Sequence, residues 1–310
     1  MMDNNEENRN LTPEEKERVR RRNSRRGFFY CVRPVLIMFA IMYLAVFALI
    51  AYGYFSGAIS PSAGKTAEEI TAEVYTYLMA ESWKSDLLGY AAALVLGLFL
   101  FFRNDWKNFD CTRENRLRFS SVICAIMLGA GMYLAVDIIL TILSGLLDMS
   151  ALIDQHNQAM VTLDIGSLWL EMLLFGLMAP MVEELYFRGM CFNRMREMMP
   201  EAISVVISAS FFGSMHAGSV LQMIYATVLG IFLGWIYCKT ENILAPFMVH
   251  STFNMMNYVT LPESAEPFLK STPGLLIYYF VGMGLLIGGV TLLRGMEKPP
   301  LKPSGYGKEQ

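Results

Sequence analysis

Two adjacent glutamates and an arginine stand at the end of an otherwise apolar stretch of the sequence, as Glu183, Glu184 and Arg188. Ionisable side chains are costly to place at membrane depth, so those found there are functional candidates by default. Two of the three histidines, His216 and His250, also lie inside long uncharged runs. Together these groups indicate a buried polar site that carries out chemistry within a bilayer.

The Glu-Glu-x-x-x-Arg spacing predicts different roles for the two adjacent glutamates. Side chains four residues apart share one face of a helix, so Glu184 and Arg188 are predicted to form an ion pair. Glu183 lies about 100° away around the helix and has no local partner. An unpartnered carboxylate in a poorly solvated place can serve as a general base. We therefore expect Glu183 to do the chemistry and the Glu184–Arg188 pair to support the helix.

The same four-residue spacing recurs in two later apolar segments. Phe212 and His216 share a face of one segment, and His250 and Asn254 share a face of the other. Imidazole and amide groups one turn apart can donate hydrogen bonds to a single oxygen. Stabilisation of the oxyanion in a tetrahedral intermediate requires this arrangement of donors.

Each motif also has a structural interpretation. A lone histidine inside a membrane often hydrogen-bonds one helix to another, and a structural ion pair explains Glu184 and Arg188 as well as catalysis does. The presence of all three motifs on neighbouring apolar segments favours a shared catalytic site. Asp137 and Glu171, also at membrane depth, are predicted to make structural polar contacts. His156 is predicted to lie on the solvated surface.

The composition is that of a multi-pass membrane protein. Hydrophobic residues make up 54% of the chain and charged residues only 17%. We predict an all-α polytopic membrane helix bundle with about eight transmembrane helices, each of roughly 20 apolar residues, and the catalytic site inside the bundle. The predicted spans are 34–64, 84–102, 119–147, 165–187, 202–219, 220–238, 242–260 and 273–293.

Basic residues alternate between successive loops, and this alternation predicts the orientation. Lys and Arg accumulate in cytoplasmic loops, and here they are concentrated in the N-terminal segment, 103–118, 188–200 and the tail. Both termini are therefore expected in the cytoplasm, with 190–200 along the inner interface as an amphipathic segment. The arginines do not mark a soluble domain, so no nucleic-acid partner is expected. The five cysteines lack the spacing of a disulfide framework or a zinc ribbon.

The three motifs, taken in order, resemble those of the CPBP family, the CAAX-protease and bacteriocin-processing (Abi) intramembrane proteases. The matching positions are Glu183-Glu184-x-x-x-Arg188, Phe212-x-x-x-His216 and His250-x-x-x-Asn254. The resemblance covers about residues 165–260, and no motif departs from the pattern. We accordingly divide the chain into five parts. They are a charged cytoplasmic N-terminal segment (1–33), N-terminal transmembrane helices (34–160), a CPBP-like catalytic helical core (161–260), a last transmembrane helix (261–295) and a cytoplasmic tail (296–310).

The resemblance implies a role for each matching residue. Glu183 and His216 would activate a water molecule, His250 and Asn254 would stabilise the oxyanion, and the remaining motif residues would support the site. The implied activity is endopeptidase cleavage of a membrane-associated peptide or protein. The implied setting is a bacterial plasma membrane, sometimes with a link to bacteriocin immunity, which makes prenylated substrates unexpected.

The cofactor is left open between two mechanisms. The family is called metalloprotease by convention, and two histidines with a glutamate can form a catalytic zinc set, here Glu183, His216 and His250. The usual His-Glu-x-x-His helix is absent from the sequence, so a metal would have to be held by three separate helices. We favour water activated directly by Glu183 and His216, with no firm cofactor.

Two other functions compete with proteolysis. A non-proteolytic membrane scaffold or regulator could bind partner helices through the same polar groove, and a proton-coupled transporter could use the same residues as a relay. The sequence lacks the internal repeats typical of many transporters. One difficulty concerns depth: Glu183 lies near the predicted cytoplasmic end of its span, whereas His216 lies sixteen residues beyond Pro200. Their meeting would require a re-entrant or steeply tilted segment within 190–205, beside a cavity open to the cytoplasm.

Overall fold

The computed structural model describes residues 13–60, 64–105, 119–161, 165–196, 198–259 and 263–296, with side chains from Gly27 onward. All of its regular elements in these ranges are helical, which confirms the all-α prediction. The first twelve residues, most of the basic 103–118 loop and the predicted tail beyond Met296 lie outside the described ranges.

The chain forms nine main helices within the described ranges. They are α1 (Pro13–Ser56), α2 (Ala67–Leu100), α3 (Phe119–Leu146), α4 (Ser150–Val161), α5 (from Leu168 to Met195), α6 (Glu201–Ser214), α7 (Val220–Thr240), α8 (Leu244–Met255) and α9 (Thr272–Gly295). Helix α2 continues as a π-helical turn over Phe101–Asp105, and α8 as a 3₁₀ turn over Met256–Tyr258. Short helical turns at Glu263–Ala265 and Glu266–Leu269 precede α9.

Five helices in the described residues are long and apolar enough to cross a membrane. They are Gly27–Ser56, Ala67–Arg103, Phe119–Leu146, Val220–Thr240 and Thr272–Gly295. The protein is thus a multi-pass helical membrane protein, but the predicted count of eight spans is not confirmed. Helices α6 and α8 have 14 and 12 residues, fewer than the roughly 20 that a perpendicular span needs.

Side-chain caps define where several helices begin. Thr66 and Glu69 form a reciprocal capping box at the start of α2, and the Ser219 hydroxyl accepts a hydrogen bond from the Gln222 backbone N–H at the start of α7. Ser271 caps α9 in the same way, through Gly274. These side chains satisfy backbone N–H groups that have no partner within the helix.

The C-terminal half of α5 lies at the centre of the bundle, contrary to the sequence-based prediction. Every residue from Glu184 to Met195 is buried, so the helix does not end at 187 and residues 190–195 do not lie along an interface. Arg194 is accommodated because its Nη1 donates to the Tyr30 carbonyl (2.9 Å) and its guanidinium lies over the Tyr30 ring. Arg194, which the sequence analysis assigned to a cytoplasmic loop, is therefore buried and hydrogen-bonded inside the protein.

Helix α5 is held by its neighbour α2 at a close approach. The Tyr186 hydroxyl donates to the Ala93 carbonyl at 2.9 Å. A Cβ added at Gly97 would lie only 2.6 Å from Cε2 of Tyr186, so only glycine leaves room for this ring. The contact fixes the position of α5 along α2, two residues after the pair of glutamates.

Candidate active site

The adjacent glutamates lie on a short α-helical stretch between two π-helical ones. Helix α5 runs as Leu168–Glu171, π-helical Met172–Met178, Ala179–Glu184, π-helical Leu185–Phe192 and Asn193–Met195. π-Helical turns are rare and occur frequently at functional sites. Their wider turn changes the angular spacing of side chains, so one constant helical spacing does not hold along the whole of α5.

Glu184 is the centre of a buried charged network. Its Oε1 accepts hydrogen bonds from Arg188 Nη1 at 2.8 Å and from His250 Nδ1 at 2.9 Å. The side chains of Glu184 and Arg188 are each 1% exposed, and Arg188 Nη2 donates to the Gly230 carbonyl at 3.0 Å. The predicted Glu184–Arg188 pair is present, and it joins α5 to α7 and α8.

The Phe212 ring packs against three of the polar groups. It lies 4.7 Å from the Arg188 guanidinium carbon, 4.8 Å from the His216 ring and 5.5 Å from the His250 ring, measured at ring centroids. A second aromatic ring, Phe187, meets it edge-on at 5.3 Å. Phe212 therefore acts as the common support that brings the two imidazoles and the guanidinium into one site.

His216 lies in the turn that follows α6 and is half-buried. Its Nδ1 stands 2.9 Å from the Phe212 carbonyl oxygen. A carbonyl oxygen only accepts, so Nδ1 carries the proton, and in the neutral ring Nε2 keeps its lone pair. This tautomer is the one that a base or a metal ligand at Nε2 requires.

Glu183 is the more accessible of the two glutamates, with 15% of its side chain exposed. Its Oε2 lies 3.7 Å from His250 Nε2, which is an ionic contact rather than a hydrogen bond. Glu183 is thus set apart from the Glu184–Arg188 pair, as predicted.

Asn254 is tied to α5 through its amide. Its Nδ2 donates to the Phe175 carbonyl at 2.8 Å, inside the first π-helical stretch. One amide N–H and Oδ1 are left for other partners. Asn254 thus uses one amide N–H within the protein, and its second N–H is directed to other partners.

The Phe212 ring brings His216 to the level of Arg188, five residues after Glu183. Helix α5 continues about three turns past Glu183 to Met195 before α6 begins at Glu201 and runs back along it. Phe212 of α6 accordingly lies level with Phe187 and Arg188. The prediction that Glu183 lies near the end of its helix is wrong, because the helix continues for twelve residues beyond it to Met195.

The suggested metal ligands are individually suitable but do not form a preassembled set. His216 Nε2 and the Glu183 carboxylate are available as donors. In the part of the chain that the structure describes, however, no three His, Cys, Asp or Glu side chains stand together as a group that could hold a metal ion. Whether the reaction requires a metal is addressed directly by a chelation experiment.

A second buried ion pair was missed by the sequence analysis. Arg196 donates from Nη1 to Glu241 Oε1 at 2.9 Å and from Nη2 to Oε2 at 2.8 Å. Glu241 is 0% exposed and caps α7 with a left-handed backbone, at φ 45° and ψ 38°. The two residues are 45 positions apart, so no helical spacing could have paired them.

The predictions for the three polar residues outside the site are confirmed for Asp137 and Glu171 but not for His156. Asp137 Oδ2 accepts from the Tyr278 hydroxyl at 2.9 Å, and Glu171 Oε1 accepts from the Ile165 N–H at 3.1 Å. Both make the structural contacts that were predicted. The prediction for His156 was wrong, because this residue is half-buried and its Nδ1 lies 3.0 Å from Ser219 Oγ.

Comparison with known proteins points to membrane peptidases. Residues 165–256 match the family model of the type II CAAX prenyl endopeptidase Rce1-like proteins. The Bacillus subtilis (strain 168) protein named "Putative membrane peptidase YdiL" is 25% identical over 138 residues, which are 44% of this chain and 53% of that protein. The UPF0177 protein YxdF of Lactococcus lactis subsp. lactis (strain IL1403) is 25% identical over 100 residues, 32% of this chain and 54% of that protein.

The family match covers the part of the chain that carries the site. The chain spans about half the length of the curated relatives it matches, and no solved structure gives a significant match. The matched family segment contains all seven motif residues, from Glu183 to Asn254. The family resemblance inferred from the three motifs is therefore confirmed: over residues 165–256 this chain matches the Rce1-like CAAX prenyl endopeptidase family.

Proposed function

We propose that the protein is an intramembrane endopeptidase that hydrolyses a peptide bond of a membrane-associated peptide or protein. One observation carries the proposal. A partly exposed carboxylate, Glu183, stands 3.7 Å from His250, while the adjacent Glu184 is buried and holds both His250 and Arg188. Two neighbouring carboxylates in such different surroundings are suited to different tasks, one chemical and one supporting.

Glu183 and His216 are the groups that activate water in this proposal. The base accepts a proton from water as the water oxygen attacks the peptide carbonyl carbon. The C–N bond then breaks, and the departing amine takes up that proton. His216 assists through Nε2, because its other ring nitrogen is held by the Phe212 carbonyl.

His250 and Asn254 stabilise the negative charge that develops on the carbonyl oxygen. The His250 Nδ1 is held by Glu184, so Nε2 is the ring nitrogen that faces the site. The mechanism needs a proton on this nitrogen, which is donated to the oxyanion together with the second N–H of Asn254. Preorganised donors of this kind are often the largest single contribution to catalysis.

The proposed setting is the plasma membrane of a bacterium, with both termini in the cytoplasm. The two relatives reported above are bacterial proteins, and the basic residues of the N-terminal segment and of the tail support the orientation. Reporter fusions after Gln310 and after Gln158 should read cytoplasmic and external, respectively. A cytoplasmic signal from the fusion at Gln158 would overturn this orientation.

The proposed activity is tested by comparing membrane peptides from cells that carry wild type, Glu183→Ala or Glu68→Ala. Glu68 is an exposed residue near the start of α2, so its variant controls for loss of a carboxylate elsewhere. Peptides that are cut in wild type and in Glu68→Ala, but not in Glu183→Ala, would identify the substrate and the bond. Identical peptide profiles in all three strains would favour the scaffold or transporter function instead.

The metal-free mechanism is tested on the purified protein by chelation. If Glu183 and His216 activate water without a metal, exhaustive chelation leaves kcat unchanged and zinc is substoichiometric. If a metal is the Lewis acid, chelation stops turnover and Zn²⁺ or Co²⁺ restores it. Restoration by metal would overturn the metal-free mechanism while leaving the endopeptidase proposal in place.

A further inference from the structure

Helix α4 docks onto the turn that carries His216. His156, on α4, places Nδ1 3.0 Å from the hydroxyl oxygen of Ser219. Ser219 is fully buried and follows His216 by three residues. A helix outside the five candidate spans thus reaches the loop that presents one of the proposed catalytic groups.

The contact between α4 and this turn has several parts. The Val220 N–H donates to Gln155 Oε1 at 3.4 Å. A Cβ at Gly218 would lie 3.5 Å from the Ala159 side chain, which is ordinary van der Waals distance. Ser219 Oγ also accepts the Gln222 N–H at 3.0 Å, so one hydroxyl links the start of α7 to α4.

The His156 ring is seated against the bundle rather than lying in solvent. It meets the Tyr225 ring edge-on at 5.8 Å, and Tyr225 in turn packs on Phe253 of α8 at 6.4 Å. The position of His156 is therefore set by aromatic packing as well as by the hydrogen bond. An imidazole fixed in this way can hold its partner in place.

The other end of the turn is fixed by α6. The His216 N–H donates to the Gly213 carbonyl at 3.0 Å, and its ring Nδ1 donates to the Phe212 carbonyl. The segment from Met215 to Ser219 is thus held by α6 on one side and by α4 on the other. Loss of either attachment would allow His216 to move relative to Glu183.

We propose that His156 is a positioning residue, which acts through Ser219 to hold the Met215–Ser219 turn and so keep His216 in its reactive place. The inference rests on the proposed function, because it concerns the same site. Reactions that depend on aligned groups can lose about 10²-fold in rate from a displacement of roughly 1 Å. The hydrogen bond is one of several contacts to the turn, so a smaller loss is expected.

The test uses the full-length protein in proteoliposomes and a quenched fluorescent peptide that contains the cleavage site found in the membrane-peptide comparison. His156→Leu removes the hydrogen bond, His156→Asn keeps a polar atom close to the position of Nδ1, and Asn157→Leu alters an exposed neighbour on α4. We expect His156→Leu to lower kcat about 10-fold with KM changed less than about twofold. His156→Asn should recover most of kcat, and Asn157→Leu should match wild type.

Two further measurements separate positioning from general loss of structure. Hydrogen exchange of the 215–222 segment should increase in His156→Leu while α5 keeps its protection. In a Ser219→Ala background, His156→Leu should cause no additional loss of kcat, because the two residues act through one bond. Equal and independent losses in the two backgrounds would overturn the inference.

The outcomes distinguish the inference from the function on which it rests. If wild type shows no Glu183-dependent cleavage, the proposed function fails and the positioning role fails with it. If wild type cleaves the peptide and His156→Leu has the same kcat, only the positioning role fails. If His156→Leu is slower but His156→Asn is equally slow, ring packing on Tyr225 rather than the hydrogen bond is responsible, and the role through Ser219 is overturned.

Discussion

The two buried acid–arginine pairs of this protein, Glu184–Arg188 and Arg196–Glu241, differ in how their carboxylates are used. Glu241 uses both oxygens, one for each terminal nitrogen of Arg196. Glu184 directs Oε1 at both Arg188 and His250, while its buried Oε2 has no hydrogen-bond partner in the described part of the chain. The first arrangement is a saturated clamp, and the second is an incompletely satisfied group beside the proposed base.

This difference separates a pair that holds the fold from a pair that supports a site. The Arg196–Glu241 clamp joins the end of α5 to the turn between α7 and α8, and the Arg196 guanidinium also lies over the Phe192 and Tyr237 rings. The two parallel hydrogen bonds of a bidentate pair fix the relative orientation of its side chains. The Glu184–Arg188 pair instead extends to His250, an imidazole of the proposed site.

The largest expected effect concerns Glu183, the residue outside both pairs. Glu183→Gln removes the base but keeps the shape, so kcat should fall by about 10²–10⁴ with little change in melting temperature. Kinetics in proteoliposomes and thermal unfolding in detergent measure the two quantities, with Glu68→Gln as the matched exposed control. An active Glu183→Gln protein would remove this residue from the mechanism.

The comparison between the pairs is tested most directly by Glu184→Gln and Glu241→Gln. Each substitution leaves a buried arginine without its charged partner, which costs on the order of 3–5 kcal/mol in the free energy of unfolding. Only Glu184→Gln should also lower the kcat of the protein that remains folded, because only Glu184 contacts His250. Equal kcat for the two variants would mean that both pairs are purely structural.

A slightly smaller effect is expected at Asn254, on the oxyanion side of the site. Loss of one oxyanion donor typically costs about 10²–10³ in kcat, or roughly 3–4 kcal/mol, so Asn254→Ala should slow turnover to that extent with little change in KM. Asn254→Asp should be at least as harmful, because it places an acceptor against the developing negative charge.

The Asn254 amide also bonds to the Phe175 carbonyl, so folding must be checked alongside kinetics. Circular dichroism and gel filtration of both variants provide this check. A well-folded Asn254→Ala protein with the wild-type kcat would exclude a role in the transition state. Misfolding of both variants would instead assign Asn254 to the support of the π-helical stretch.

The smallest effect is expected from the left-handed backbone conformation of Glu241, in the Arg196–Glu241 pair. Glu241 has φ 45°, a left-handed conformation that costs a residue with a Cβ roughly 1–2 kcal/mol but costs glycine much less. Glu241→Ala and Glu241→Gly both lose the ion pair with Arg196, so their difference reports the left-handed strain, offset in part by the larger backbone entropy that glycine loses on folding. Glu241→Gly should be the more stable of the two by about 1 kcal/mol in chemical unfolding. A more stable Glu241→Ala would show that the turn relaxes without its carboxylate.

Local spacing was a good guide wherever both partners lie on one helix. Residues four apart share a face of a helix, which predicted the Glu184–Arg188 pair. Adjacent residues point in different directions, which predicted that Glu183 lies apart from this pair. The apolar composition likewise predicted the all-α membrane bundle. The predicted end of α5 at 187 failed because charge was taken as a sign of solvent, whereas Arg188 and Arg194 are satisfied inside the bundle.

By itself, the sequence determined the membrane class, the three motifs and the pairs that one helical turn brings together, because these depend on composition and on a fixed rise and rotation per residue. Only the tertiary structure decided the contacts between helices. It brought Arg196 to Glu241, His156 to Ser219 and His250 to Glu184. It also inserted the π-helical stretches that flank Glu183. These features depend on how separate helices pack, and the energy of packing is shared among residues that are distant in the chain.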